Sequence, residues 1–366
     1  MLQLVSDMLI DLIGIDTRCG IAPELPAAQY LQAKLSKSGI ACSIYEPKPG
    51  RANLVAVIRG KESSSIILHA HLDTANFYMQ EWHFLPLQAI IEHGRIYGRG
   101  ALDCKGLCAI WTGILLFFAE HGLTPQKTII FAATADEEAG GFWGVKWLCE
   151  NTLLFNQAIL AIGEGGGFVI QANDDEYFTI QTGERSKIAI TGELYIKEPS
   201  CQEVFTLGME RGFYNEVTQY YIKAENYGRR RIDSNSFYKT IIEQEGDRRS
   251  AYVLPFLQLE ESGQVIPNKI SCKRDFLAEA IKQIQEVMCR LGYDGKLMPY
   301  ISMGFSDNRF FRSMGIPTFG FFPIGPENAI SGIHGADEYI DESSLKMAFE
   351  ILLEAVLIIS MRYEHG

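Results

Sequence analysis

The stretch Ser65-Ile-Ile-Leu-His-Ala-His-Leu-Asp-Thr74 begins as an apolar run and ends in two polar residues, His71 and Asp73. A short apolar run of this kind predicts a buried β-strand. Side chains alternate between the two faces of a strand, so His71 and Asp73 lie on the same face. The strand therefore presents a histidine and a carboxylate side by side at its end, where α/β sheets build binding sites.

Two further apolar runs, residues 128–134 and 158–162, also lead directly into acidic residues. Each is predicted to be a buried strand. In the segment Gly98-Arg-Gly-Ala-Leu-Asp-Cys-Lys-Gly106, glycines permit a sharp turn before a predicted helix. Far downstream, residues 332–338 supply a second histidine. The polar residues presented in these places are Asp103, Asp136, Glu137, Glu138, Glu164 and His334.

The three adjacent carboxylates of residues 136–138 repel one another unless a cation is present. Taken alone, a histidine beside an apolar strand is more often an ordinary, partly buried residue, and a glutamate pair is more often a solvated surface. Imidazole and carboxylate groups are also the ligands that zinc and similar divalent cations prefer. Their recurrence at successive strand ends favours a divalent-metal site.

Other kinds of site find less support in the sequence. Gly163–Gly167 is glycine-rich, but no Lys-Ser or Lys-Thr follows it, as a phosphate-binding loop requires. No Gly-x-Ser-x-Gly sequence offers a serine nucleophile. Within the metal hypothesis one alternative stays open, because His69 lies two residues before His71 on the same strand face.

The composition is that of an ordinary globular protein, with 47% hydrophobic and 21% charged residues in a chain of 366. This length is sufficient for two domains. A formal charge of −12 argues against nucleic acid or an anionic membrane as a partner. The eight cysteines form no Cys-x-x-Cys pair, and the N-terminal residues lack the basic start of a signal peptide. We therefore expect a cytoplasmic protein.

The spacing of apolar residues in the rest of the chain predicts a layered α/β arrangement of helices and strands. Helices are predicted at residues 2–15, 26–37, 105–120, 142–150 and 276–291, and strands at 40–45 and 53–58. From about residue 186 the pattern changes to strands at 187–194 and 251–259 around a helical stretch at 203–221. The longest apolar runs, 109–119 and 351–361, are too short to span a bilayer and are predicted to be buried helices.

Together these motifs resemble the ordered motif set of the M20 metallopeptidase family, which includes carboxypeptidase S, aminoacylase, acetylornithine deacetylase and succinyl-diaminopimelate desuccinylase. The segments that carry the resemblance are His71-x-Asp73, Gly98-Arg-Gly-x-x-Asp103-x-Lys-Gly106, Asp136-Glu-Glu138-x-Gly-Gly141, Gly163-Glu164-Gly-Gly and His334. They occur in the family's order, and the glutamate motifs are spelled most like those of carboxypeptidase S and aminoacylase.

The resemblance implies a zinc-peptidase-like α/β/α catalytic domain, formed by residues 1–185 and 274–366. A smaller α+β lid domain, residues 186–273, would be inserted into it and could pair two subunits as a homodimer. The implied enzyme is a hydrolase, a zinc-dependent deacylase or carboxypeptidase, that cleaves an amide next to a free carboxylate. Its substrate would be an N-acyl amino acid or a small peptide.

The resemblance also assigns roles to residues. One zinc ion would be held by His71, Asp103 and Glu164, the other by Asp103, Glu138 and His334, with cobalt or manganese as alternative metals. Glu137 would be the general base, and Asp73 would hydrogen-bond the second ring nitrogen of His71. The Asp103–Cys104 peptide bond would be cis. Arg309, in a loop similar to Gly-Thr-Asp-x-Arg, would bind the substrate carboxylate, unless it only ties down its own loop.

The sequence departs from the family at one position. Family members with a dimerising lid usually supply a lid histidine that stabilises the tetrahedral oxyanion, yet no histidine occurs between His121 and His334. Arg211, Asn215 and Arg229–Arg231 are the replacement donors that the sequence offers. The alternative is a metal-binding homologue that binds amide or amino-acid ligands, or carries out other amide chemistry, without efficient hydrolysis.

Overall fold

A computed structural model describes residues 1–172, 175–184, 203–204, 221–222, 258–259, 265–266, 274–302 and 305–362. Its helices are α1 (Leu2–Ile13), α2 (Leu25–Lys37), α3 (Lys105–Glu120), α4 (Val145–Asn151), α5 (Arg274–Arg290), α6 (Asn308–Ser313) and α7 (Glu342–Met361). Short 3-10 turns lie at Met79–Glu81, Glu137–Ala139 and Ile330–Gly332. No described helix combines the length and the apolar character needed to cross a membrane.

The described strands fall into one large sheet and three small ones. They are β1 (Ala41–Lys48), β2 (Arg51–Ile58), β3 (Ser65–His71), β4 (Ile90–Glu92), β5 (Arg95–Tyr97), β6 (Thr128–Thr134), β7 (Ala158–Gly163), β8 (Val169–Ala172), β9 (Asp175–Glu184), β10 (Glu203–Val204), β11 (Tyr221–Ile222), β12 (Gln258–Leu259), β13 (Val265–Ile266), β14 (Lys296–Ser302), β15 (Thr318–Gly320) and β16 (Tyr339–Asp341). The large sheet has the order β1-β2-β6-β3-β7-β15-β9-β14, with β8 paired to β9.

The centre of this sheet is parallel and its flanks are antiparallel. β3 lies between β6 and β7 and runs parallel to both, whereas β2 joins β6 and β9 joins β15 in antiparallel fashion. Every residue of β3 and β6 is buried, as expected for strands covered on both faces. The mixed α/β fold predicted from the apolar runs is confirmed.

Helix α3 covers one face of the central strands and contacts α1, α7 and β3. It is apolar on nearly all sides, and its buried Trp111 donates an indole hydrogen bond of 3.0 Å to the carbonyl of His69 in β3. The structure confirms the predicted bounds of this helix. The predicted helix at 142–150 begins later, at Val145, because the glycine-containing turn after the glutamates occupies the residues before it.

The chain divides into two compact units. One comprises Met1–Thr182, Ile270–Pro299 and Ser306–Gly366, and the other comprises Gly183–Lys269 and Tyr300–Phe305. Most residues of the second unit lie outside the described ranges, and so do the elements predicted at 187–194, 203–221 and 251–259, apart from short two-residue strands. An inserted, dimerising lid therefore remains a prediction.

Candidate metal centre

Three of the predicted site segments meet at one edge of the large sheet. In the parallel pair β3 and β6, His71 lies opposite Thr134, and in the pair β3 and β7, Leu68 lies opposite Ile162. The carboxyl ends of these three strands therefore reach the same level. These strand ends carry His71, the turn with Glu137 and Glu138, and Glu164. Sites of α/β sheets are expected at such ends.

The other two segments are brought together by a small sheet in which β5 pairs with β16. Tyr97 lies opposite Tyr339 in this antiparallel pair. The segment that follows β5 leads to Asp103, and the segment that precedes β16 contains His334. Both segments therefore lie at the same end of this strand pair. The backbone N–H of Gly98 donates a hydrogen bond of 2.8 Å to the carbonyl of Glu338 at this end.

The carboxylate of Asp103 lies between two histidines and offers one oxygen to each. Its Oδ1 is 2.9 Å from Nε2 of His71, and its Oδ2 is 2.9 Å from Nε2 of His334. A second carboxylate accompanies each histidine: Glu164 Oε2 is 3.3 Å from His71 Nε2, and Glu138 Oε2 is 3.1 Å from His334 Nε2. The structure thus brings together the five predicted ligands in two groups that share Asp103.

The donor set fits divalent cations. Ligand atoms of His71, Asp103 and Glu138 all lie within 4.8 Å of one another. Oε1 of Glu137 and Oε1 of Glu138 are buried and have no hydrogen-bond partner in the described part of the chain. Buried carboxylate oxygens ordinarily have such partners, so a cation held at this cluster would offset the uncompensated charge of these two side chains.

Cys104 is a further potential ligand that the sequence analysis did not select. Its thiol is buried, and its sulfur lies within 4.8 Å of ligand atoms of His71 and Glu164. Burial, and after it the charge of Glu164, raise the pKa of this thiol well above its usual value. The Asp103–Cys104 peptide bond is cis, which confirms that prediction.

The protonation of the site follows from the closeness of its charged groups. Hydrogen bonds to Asp103 and Glu138 raise the pKa of His334 to about 10. Burial opposes the charged form of Asp103, but hydrogen bonds from His334 and His71 outweigh it and hold the pKa of Asp103 well below its usual value. Burial and then the charge of Glu164 raise the pKa of Glu137. A bound cation would displace protons from such ligands, because imidazole, thiolate and carboxylate bind metals in their deprotonated forms.

Asp73 differs in part from its predicted role. The atom closest to Nδ1 of His71 is the Asp73 backbone carbonyl oxygen, at 2.8 Å, whereas the carboxylate Oδ1 is 3.5 Å away. The carboxylate instead accepts backbone N–H groups of Glu137 at 3.1 Å and Glu138 at 3.0 Å. Asp73 therefore orients the histidine through its backbone and the glutamate turn through its side chain.

The glutamate turn has a second support in Asn53 of β2. The Asn53 amide donates a hydrogen bond of 2.8 Å to the Trp143 carbonyl and accepts one of 2.9 Å from the Ala135 N–H. It therefore clamps the two ends of the turn. Within the turn, Asp136 has a φ of 71° and Gly140 a φ of 109°. Sequence reasoning missed Asn53, because it lies about eighty residues before the turn and has no local motif.

His69, the alternative ligand, does not belong to the cluster of predicted ligands, and the carboxylate near it is that of Asp307, at 3.9 Å. Its Nε2 is 3.0 Å from the hydroxyl of Thr134 on the neighbouring strand, and its ring packs edge-on against Phe311. Burial lowers the pKa of His69 to about 3, so it is neutral at ordinary pH. The geometry thus favours His71 over His69 as the ligand.

The guanidinium of Arg309 donates to two backbone carbonyls. One is that of Ser306 in its own loop, at 3.1 Å, and the other is that of Gly140 in the glutamate turn, at 2.8 Å. These contacts favour the alternative in which the arginine ties down loops. Arg211, Asn215 and Arg229–Arg231, named above as oxyanion donors, lie outside the described residues.

Comparisons with known proteins agree with this geometry. Residues 67–358 match the family model described as peptidase family M20/M25/M40. A probable succinyl-diaminopimelate desuccinylase of Staphylococcus aureus strain Mu50 is 27% identical over 240 residues, which are 65% of this chain and 58% of the relative. The chain thus matches little more than half the length of that relative. Aminoacylase-1 of Pongo abelii is 23% identical and is aligned over 87% of this chain and 86% of its own.

Solved structures give the same fold. An M20 family metallo-carboxypeptidase from Sulfolobus solfataricus superposes with a TM-score of 0.60 at 15% identity, over 98% of this chain and 99% of that one. Human carnosine dipeptidase 1 superposes with a TM-score of 0.58 at 12% identity, over 99% of this chain and 97% of that one. At such low identity these similarities establish the architecture alone.

Proposed function

We propose that this chain, which belongs to peptidase family M20/M25/M40, is a hydrolase that uses two divalent metal ions to cleave an amide bond next to a free carboxylate. The observation that carries the proposal is the position of Asp103, with one carboxylate oxygen at 2.9 Å from each of two histidines. A residue so placed can bridge two cations, and each histidine has its own second carboxylate.

The first ion would be held by His71, Asp103 and Glu164, and the second by Asp103, Glu138 and His334. Zinc suits this mixture of imidazole and carboxylate, and cobalt or manganese are alternatives. When bound, the two ions would polarise the scissile carbonyl and lower the pKa of the attacking water. The ring of His71 is oriented for this role, because the Asp73 carbonyl at 2.8 Å accepts the Nδ1 proton and Nε2 faces Asp103 and Glu164, where the ion would bind.

Glu137 would move the proton in this reaction. Its carboxylate would accept a proton as water attacks the carbonyl carbon, and it would return that proton to the amine nitrogen as the carbon–nitrogen bond breaks. The buried Oε1 of Glu137, which lacks a hydrogen-bond partner among the described residues, is available for this purpose. The two hydrogen bonds from the Glu137–Glu138 backbone to Asp73 hold the side chain in place.

The names of the relatives point to small amide substrates, since they include a desuccinylase and an aminoacylase. We propose an N-acyl amino acid or a small peptide as substrate, a cytoplasmic location, and a homodimer formed through residues 186–273. The test is an assay of N-acyl amino acids and dipeptides with added zinc, cobalt or manganese, with the Glu137→Gln variant as the inactive control. Metal-dependent turnover that is absent from the variant is the expected result.

A second function is favoured by one observation, the absence of histidine between His121 and His334. Loss of one oxyanion donor costs about two to three orders of magnitude in turnover. A protein without a replacement donor would bind metals and amide or amino-acid ligands without hydrolysing them efficiently. Saturable binding of the same compounds by calorimetry, with no turnover under any of the three metals, would identify this function.

A further inference from the structure

Glu338 lies four residues after His334, and its side chain is fully buried, with 0% of its surface exposed. Its Oε1 accepts backbone N–H groups of Leu102 at 2.8 Å and Asp103 at 3.0 Å. Its Oε2 accepts the N–H of Gly100 at 3.1 Å. A buried carboxylate is costly unless it is paired and hydrogen-bonded, and here three donors come from the loop that ends at Asp103.

Arg99 completes the set of partners for this carboxylate. Its NH1 donates a hydrogen bond of 2.7 Å to Oε2 of Glu338, and 1% of the arginine is exposed. Its NH2 donates a hydrogen bond of 2.8 Å to the carbonyl of Gly335, next to His334. The planar guanidinium therefore reaches from the Asp103 loop to the His334 loop, which a lysine could not do with the same geometry.

These contacts join the two loops that complete the site. The Asp103 loop provides the carboxylate shared by both histidines, and the His334 loop provides the second histidine. The paired strands β5 and β16 fix the approach of the two loops, but they end at Tyr97 and Tyr339. Beyond that point, apart from the approach of His334 to Asp103 itself at 2.9 Å, the described side-chain hydrogen bonds between the loops are made by Glu338 and Arg99.

We propose that Glu338, with Arg99, is a positioning residue that sets the spacing of Asp103 and His334 and thereby the affinity for both metal ions. The inference rests on the proposed paired metal site. Partners of this kind outside the ligand set typically change metal affinity by about 10- to 100-fold when they are replaced. We expect the Glu338→Gln variant to bind metal more weakly by that factor.

Glutamine is the informative substitution because it keeps the size of the side chain. Both carboxylate oxygens of Glu338 accept N–H groups, whereas a glutamine amide has one oxygen and one NH2 group. The NH2 group would therefore face N–H donors and leave them without an acceptor. Asp337→Asn is the matched control. Asp337 lies in the same turn, but its carboxylate accepts the N–H groups of His83 at 2.9 Å and Phe84 at 3.3 Å, and none of its described partners is in the Asp103 loop.

The experiment is a cobalt titration of metal-free protein, followed by calorimetry and by the d–d absorption bands of bound cobalt. Wild-type protein and the Asp337→Asn variant should bind two ions per chain with similar affinity. The Glu338→Gln variant should bind more weakly and show altered bands at saturation, while its near-ultraviolet circular dichroism without metal stays native. A purely structural role would lower the melting temperature and leave affinity and bands unchanged.

Arg99→Lys is the second variant, in case Glu338→Gln does not fold. Lysine keeps the positive charge but lacks the planar guanidinium that donates to both Glu338 and Gly335. We therefore expect weaker binding of the ion next to His334. The inference would be overturned if wild-type protein binds two ions and a folded Glu338→Gln variant binds cobalt with the same affinity. If Glu338→Gln is unfolded, the same result for Arg99→Lys would overturn it. Fewer than two ions in wild-type protein would refute both the paired site and this inference.

Discussion

Two adjacent glutamates have different surroundings in this protein. Oε2 of Glu138 lies 3.1 Å from Nε2 of His334, and Oε1 of each glutamate is buried without a hydrogen-bond partner in the described residues. We propose Glu138 as a cation ligand and Glu137 as the residue that exchanges a proton. A substitution that removes only the charge of each side chain can distinguish these roles.

We expect Glu137→Gln to retain both ions and the fold while turnover falls by about two to four orders of magnitude, because only the proton transfer is lost. The measurements are metal content by elemental analysis and turnover at saturating substrate. Glu138→Gln is the matched control and should lose one ion. Loss of metal from Glu137→Gln would show that the assignment of the two glutamates is reversed.

Arg309 donates to the Ser306 and Gly140 carbonyls, and we therefore expect Arg309→Lys to impair carboxylate substrates and their amidated analogues by the same factor. Lysine cannot hold both carbonyls with one planar group, so the glutamate turn would loosen for every substrate. Steady-state kinetics on matched pairs of substrates measure this. A rise in KM confined to the carboxylate member of each pair would instead support carboxylate binding by Arg309.

Sequence analysis selected candidate residues where a polar group follows an apolar run or a glycine-containing turn, and where a motif resembles that of the family. His71, Asp103, Glu138, Glu164 and His334 were all selected from sequence, and the structure brings them together. The carbonyl contact of Asp73 and the role of Glu338 were not foreseen. Both involve backbone atoms, and such contacts leave no pattern in the residues themselves.

At the level of secondary-structure elements, the glutamate turn depends on β2 as much as on β6, which precedes it. Asn53 hydrogen-bonds to both ends of the turn and is fully buried. Removing its amide would take this partner away from the buried Ala135 N–H and from the Trp143 carbonyl. Asn53 therefore supports this turn together with Asp73 and Arg309, which also hydrogen-bond to it.

We expect Asn53→Ala to lower the free energy of unfolding by roughly 1–3 kcal/mol, because the buried Ala135 N–H loses its partner. Urea denaturation measures the change. Asn151→Ala is the control, because Asn151 makes a similar hydrogen bond of 2.9 Å to the Trp147 carbonyl at an exposed position of α4, and it should change stability by less than about 0.5 kcal/mol. Equal effects of the two substitutions would contradict the clamp.

Element bounds were most predictable where apolar periodicity ends at a glycine. The helix at Lys105–Glu120 ends just before Gly122, which has a φ of 59°, and its bounds were predicted correctly. The start of α4 was predicted too early, because Phe142 and Trp143 are apolar but 56% and 38% exposed in the turn. When only the sequence is known, apolar residues in a loop cannot be distinguished from the apolar residues of a helix.

At the scale of the whole molecule, metal binding and stability should be linked. A ligand that binds only the folded state stabilises it, by about 2.7 kcal/mol at a free concentration one hundred times its dissociation constant. We expect protein purified without chelator to contain two divalent ions per chain, and chelation to lower its melting temperature. One ion or none, or a melting temperature that chelator leaves unchanged, would contradict the paired site.

The pairing of β5 with β16 has a consequence for how the protein is made. Arg95 and Asp341 lie opposite each other although 246 residues separate them in the chain. Contacts between such distant segments form late, because a long loop must close first. On the ribosome, His71, Asp103 and Glu138 emerge well before His334, so a nascent chain carries an incomplete metal site. We therefore expect cation capture to be among the last events of biosynthesis.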